Sequence, residues 1–222
     1  MFDGAEIQAD QLLVTVGGSE ALLFAIAATC DPGDQILVVE PYYTNYRGFA
    51  HILGVEVVPV STHASEDFRL PVERVREAIG PRVRALVVPT PGNPTGMVLS
   101  HSDLAELGQA CVDKGIFFIV DEVYREFVYS EDSVPGESVA ASLLGIPEMH
   151  EHAVVIDSVS KRYSACGARV GNLVTRNPDL YSACLKFAQA RLSPPTVDQV
   201  AALAALKTPR STMREMVGEY RG

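Results

Sequence analysis

Lys161 lies in Ser158-Val159-Ser160-Lys161, directly after the apolar run Ala153–Asp157, and Arg169 follows eight residues later. A lysine amine held in a pocket attacks carbonyl carbons and, once freed, serves as a base. An arginine offers a permanently charged, planar fork for phosphate or carboxylate. Asp121 closes a second apolar run, Phe117-Phe118-Ile119-Val120, where a carboxylate needs a cationic or hydrogen-bonding partner. Asn93 sits in Pro91-Gly92-Asn93-Pro94-Thr95-Gly96, whose prolines and glycines fix a rigid loop around one amide. Tyr124 follows Asp121 by three residues and offers a phenol. In Glu40-Pro41-Tyr42-Tyr43, Tyr43 offers a flat face for a planar ligand, with Tyr42 its competitor. Gly17-Gly18-Ser19-Glu20 opens a helix after a strand, where free N–H groups and the helix dipole suit a phosphate.

Each of these has an ordinary reading. A lysine after a strand is usually solvated, Asp121 is also placed as a helix N-cap, and Gly17-Gly18 also reads as a plain turn. The set is more specific than its members. It holds an amine, a carboxylate, two donors, an aromatic plate and a phosphate cradle. Pyridoxal 5'-phosphate (PLP) needs those parts: an amine for its aldehyde, a carboxylate for its ring nitrogen, donors for its ring oxygen, and cations and N–H groups for its phosphate.

The elements around these residues place them together. Short β-branched runs at Gln11–Val16, Ile36–Glu40, Val55–Val60, Val83–Val88, Phe117–Val120, Ala153–Asp157 and Arg169–Val174 read as strands. Between them, Ser19–Cys30, Thr44–Leu53, Pro71–Ile79 and Ser102–Lys114 read as helices, and another begins near Pro178. Ser100 with Asp103 three residues on has capping-box spacing. Apolar strands alternating with helices predict an α/β fold, a three-layer α/β/α sandwich on a mainly parallel, roughly seven-stranded sheet. Such sheets take ligands beyond the carboxyl ends of their strands, where the candidate residues fall.

Bulk properties narrow the classes. The 222 residues suit one large domain. A formal net charge of -10 argues against nucleic acid or an anionic membrane as partner. No apolar run reaches the roughly 20 residues of a membrane span, and Met1–Glu6 lacks the pattern of a signal peptide. Cys30, Cys111, Cys166 and Cys184 show no CxxC spacing, which predicts reduced thiols in a cytoplasmic protein and no metal site.

The strings TVGGSEAL, DPGDQILVVEPYYTNY, PTPGNPTG, VDEVYREF, DSVSKRYSACGARVG and LSPPTVDQ, in this order, resemble the class I/II aminotransferases, PLP enzymes of fold type I. The resemblance runs from about Val14 to the end of the chain. It implies that Lys161 forms the Schiff base and that Asp121 pairs with the pyridinium nitrogen. It implies that Asn93 and Tyr124 bond the ring oxygen and that Tyr43 stacks on the ring. Gly18, Ser19 and Glu20 would turn around the phosphate, which Ser158 and Arg169 would bind. The implied activity is transfer of an amino group between an L-amino acid and a 2-oxo acid, with Lys161, Asp121 and Tyr124 catalytic, in a homodimer. A PLP-dependent β-lyase, a related fold type I enzyme and a catalytically incomplete PLP-binding chain share the same cofactor residues.

Against the family, the chain is expected to be truncated at both ends. Residues 1–205 would form the PLP-binding large domain without its N-terminal arm. Residues 206–222 would begin the segment leading to a C-terminal small domain.

Overall fold

The computed structural model describes residues 6–129 and 139–221. Seven strands form one sheet: β1 (Leu12–Val16), β2 (Gln35–Glu40), β3 (Glu56–Ser61), β4 (Val83–Pro89), β5 (Phe117–Asp121), β6 (Ala153–Ser158) and β7 (Val170–Val174). Their order is β1-β7-β6-β5-β4-β2-β3. Pairs among β2 to β6 are parallel, while β7 runs antiparallel to both β1 and β6. The expected mainly parallel, three-layer α/β/α architecture is therefore present.

The central strands are apolar on both faces because helices cover both. Phe118 and Val120 of β5, with Leu86 and Val88 of β4, enter one core under α3 (Val72–Ala78) and α4 (His101–Lys114). Ile119, Ala85 and Val87 enter the other, with residues of α1 (Gly17–Thr29), α2 (Asn45–Ile52) and α6 (Pro178–Arg191). The period of two along a strand divides neighbouring side chains between the cores. Ser100 caps α4: its Oγ accepts from the Asp103 N–H at 3.1 Å, and Asp103 accepts from the Ser100 N–H at 2.8 Å.

Most expected elements are found with ends displaced by a residue or two, but four differ in kind. Gln11 belongs to a short 3-10 turn before β1. Arg169 precedes β7 instead of starting it, with a left-handed φ of 51° that no ladder residue would adopt. Lys161 stands on a one-turn helix, α5 (Val159–Arg162), too short to be seen as a periodic pattern. Beyond α6 the chain forms α7 (Thr196–Ala205) and α8 (Arg210–Arg221), and α8 buries Met213 and Val217.

The reversal of β7 matters for the site. A parallel strand presents its last residue at the ligand edge, but an antiparallel one presents its first. Arg169 therefore reaches the edge where β6 delivers Ser158 and Lys161.

Candidate active site

A cavity of about 160 Å³ opens at that edge, and Asp121, Asn93, Tyr124, Lys161, Ser158 and Arg169 all line it. Gly18, Ser19 and Tyr43 complete the predicted residues found there. A wider space of about 620 Å³ adjoins it and shares Asn93, Tyr124 and Lys161.

At the floor, Asp121 ends β5 between two parallel neighbours. Its Oδ1 accepts from the Val123 N–H at 3.3 Å, and its Oδ2 accepts from the Tyr46 hydroxyl at 3.0 Å. Burial pushes the carboxyl up to about 6, against the pull of these two donors, and Asp157 adds to the rise. Such a carboxylate is suited to a cationic N–H placed above it. The same burial, with Asp121 adjacent, drives the phenol of Tyr46 well above its ordinary range, so it stays a donor.

One wall holds an anion cradle. α1 has no side-chain cap on its first turn, and Val16 precedes it in a non-helical conformation. Gly18 and Ser19, on this first turn without a capping side chain, line the cavity, a place where helix N–H groups suit an anion. Gly17 has a φ of +73°, and a Cβ there would run into the Arg169 guanidinium. A Cβ at Gly171 would lie 2.5 Å from the Gly17 carbonyl carbon, so only glycine lets β7 approach this turn. Arg169 is braced by its Nη1, which donates to the Cys166 carbonyl at 2.8 Å. Ser158 Oγ accepts from the Ser160 N–H at 3.2 Å, which fixes the start of α5.

The amine of Lys161 lies 5.4 Å from the centre of the Tyr124 ring. Tyr43 stands edge-on to Tyr46, with ring centres 5.9 Å apart, and is partly open to solvent. Its competitor Tyr42 packs beside Tyr46 at 6.5 Å and borders a separate groove with Glu40 and Arg47.

Glu20 does not join the other predicted residues. Its carboxylate accepts from the Val16 N–H at 2.8 Å and pairs with Arg191 at 2.9 Å, away from the cavity. A carboxylate beside a phosphate cradle would repel the anion, and the Arg191 pair holds it elsewhere. Tyr46 was missed by sequence reasoning. Its spacing of three from Tyr43 puts the two rings on one side of the α2 entry, a pattern that also fits core packing.

These residues fit PLP by their chemistry: an amine, a floor carboxylate short of cations, two donors, and a tight turn where a Cβ at Gly17 or Gly171 would clash. The fold is the α/β architecture of the PLP-dependent transferases, and the cavity lies at the strand edge where such sheets take their ligands. The sequence profile of the aminotransferases of class I and II matches residues 2–221. The chain belongs to this family, whose members depend on pyridoxal phosphate.

The aspartate/prephenate aminotransferase of Thermus thermophilus is 32% identical over 204 residues, covering 92% of this chain and 51% of that protein. Aromatic-amino-acid aminotransferase 2 of Thermococcus litoralis is 31% identical, over 95% of this chain and 53% of its own length. Among solved structures, an aromatic aminotransferase from Pyrococcus horikoshii superposes with a TM-score of 0.90 at 28% identity, covering 99% of this chain and 58% of that one. A Thermus thermophilus aspartate aminotransferase mutant gives 0.87 at 32% identity, covering 98% and 58%. The chain spans about half the length of the curated relatives it matches.

Proposed function

We propose that this chain carries the cofactor site of an aminotransferase that moves an amino group from an L-amino acid to a 2-oxo acid, with Lys161 as the covalent anchor of PLP. The observation that carries the reading is the meeting of Lys161, Asp121 and Arg169 at one small cavity. When bound, PLP supplies an electrophilic aldehyde carbon and a ring that withdraws electrons. Lys161 would hold the cofactor through its amine, and that amine would be the base that moves the substrate's α-proton. Asp121 holds a proton at the ring nitrogen. Asn93 and Tyr124 would donate to the ring oxygen, and Tyr43 would offer its flat face to the ring. Gly18, Ser19, Ser158 and Arg169 hold the phosphate.

Residues 1–205 act as the cofactor domain in this reading, and 206–222 begin a following segment. The turn between α7 and α8 supports that division. A homodimer is also part of the reading, supported by the exposed apolar side chains of Val197, Val200 and Leu203 on one stretch of α7. Four free cysteines accord with a cytoplasmic setting. Among the described residues no helix is long and apolar enough to cross a membrane.

The test is a visible spectrum of the purified chain with added PLP, then borohydride reduction and peptide mapping. The expected result is a yellow chain whose label maps to Lys161, and a spectral change on adding amino acid. A Lys161→Ala variant that still traps the cofactor covalently would remove the assignment. Release of ammonia and pyruvate, with no amino group transferred, would favour β-lyase chemistry.

A further inference from the structure

Lys161 and Arg162 are neighbours on a helix of a single turn, yet they lie in different surroundings. Lys161 is exposed to the cavity, while Arg162 is buried. The Arg162 Nη2 donates to Asp157 Oδ2 at 2.8 Å, and its Nε pairs with Glu126 Oε1 at 3.2 Å. Asp157 lies near the end of β6, just before Ser158. Glu126 lies in the turn that follows β5, two residues after Tyr124. One guanidinium therefore ties together the strand end that carries Ser158, the turn that carries Tyr124 and the helix that carries Lys161.

A four-residue helix cannot hold its own shape, since nucleation is unfavourable and few hydrogen bonds repay it. Its direction must come from anchors outside it. Ser158 fixes its start through the Ser160 N–H, and Arg162 is the charged anchor at its end. The pairing is demanding because all three groups are largely desolvated. Removing the cation leaves two carboxylates in the interior without it, a strongly unfavourable arrangement unless the turns move apart.

We infer that Arg162 is a positioning residue for the Lys161 amine, acting through its ion pairs to Asp157 and Glu126. The inference rests on the reading of Lys161 as the PLP anchor. Arg162 does not touch the cavity; it sets the angle at which α5 presents its neighbour to it and keeps Tyr124 in register below. The planar fork can serve both carboxylates at once, and a lysine in its place can retain part of that charge pairing.

The test uses the 222-residue chain with PLP as probe. Variants are Arg162→Met, Arg162→Lys, Glu126→Gln and, as a control, Arg82→Met, which breaks the surface pair to Glu56. The readouts are PLP affinity from visible absorbance, the induced circular dichroism of the bound chromophore, and melting temperature. Arg162→Met is expected to weaken PLP binding by about 10- to 100-fold and to shrink the induced band, as a misplaced amine would. Arg162→Lys should recover most of both, and Arg82→Met should alter neither.

An Arg162→Met variant that melts earlier yet keeps affinity and band overturns the inference, because the role is then structural only. If Arg162→Met does not fold, Glu126→Gln carries the test, since it leaves the Asp157 pair in place. A weaker, smaller band supports the inference, and an unchanged one overturns it. Absence of a borohydride-trapped label at Lys161 in the unaltered chain removes the parent reading and this one together. A trapped label with indifferent Arg162 and Glu126 variants removes this one alone.

Discussion

The hydroxyl of Tyr46, on a buried ring that lines the cavity, donates to Asp121 Oδ2 at 3.0 Å. A donor to the charged form favours ionisation, so this contact opposes the burial that pushes Asp121 up to about 6. Tyr46→Phe should therefore raise the Asp121 carboxyl further. A bond to a charged group contributes about 1.5–3 kcal/mol, roughly one to two pH units, so at neutral pH the ionised fraction, and PLP binding with it, should fall by roughly 2- to 15-fold. Carboxyl carbon NMR of Asp121, read beside a PLP titration, checks both; a Phe variant with the same titration midpoint would dismiss the role.

Asp121 also carries a stability cost in the unliganded chain. Its folded value, about 6, exceeds that of an unfolded aspartate. The folded state thus holds the extra proton, and stability declines as pH rises from about 4 to about 6. Asp121→Asn should remove this penalty, stabilising the unliganded chain by on the order of 2 kcal/mol above that window and by little below pH ~4. Denaturant melts at several pH values decide it. A gain that is the same at pH ~4 and ~7 would speak against the linkage. The same variant should lose PLP.

Gly171→Ala tests the close approach of β7 to the cradle. The new Cβ would lie 2.5 Å from the Gly17 carbonyl carbon and 2.6 Å from the Gly18 nitrogen, both backbone atoms that cannot swing aside. A loss of about 1–3 kcal/mol is expected. Phosphate protection against urea, if measurable in the parent chain, should fall with it. Equal stability would show that the turn has more slack than the packing indicates.

Ser100→Ala provides the contrast. It breaks the capping box of α4, away from the cavity, and should cost about 1 kcal/mol. PLP affinity should not change. A variant that binds PLP poorly would reveal coupling between α4 and the site.

Sequence reading reached the sheet and most of the cavity because strand ends carry chemistry in this kind of fold. Asp121 was legible as a charge closing four apolar residues, and Asn93 as an amide locked between prolines. Gly18 and Ser19 followed from a glycine pair opening a helix. Glu20 turns its side chain to Arg191, 171 positions later, a direction that the string alone does not show. Tyr46 was invisible for a similar reason, since its partner is 75 positions away. Arg162 drew no reading from the sequence, because single-turn helices leave no periodic trace that would show which way it points.

The reversed direction of β7 has a further consequence for how the protein tolerates changes of length. A parallel successor to β6 would need a crossover to bring its end to the cavity, and a crossover absorbs added residues as slack. Here the stretch 162–168 acts as a ruler between amine and guanidinium, both ends being fixed to adjoining strands. Even one inserted residue there would throw the two charges out of step, whereas the exposed turns at the opposite rim can lengthen freely.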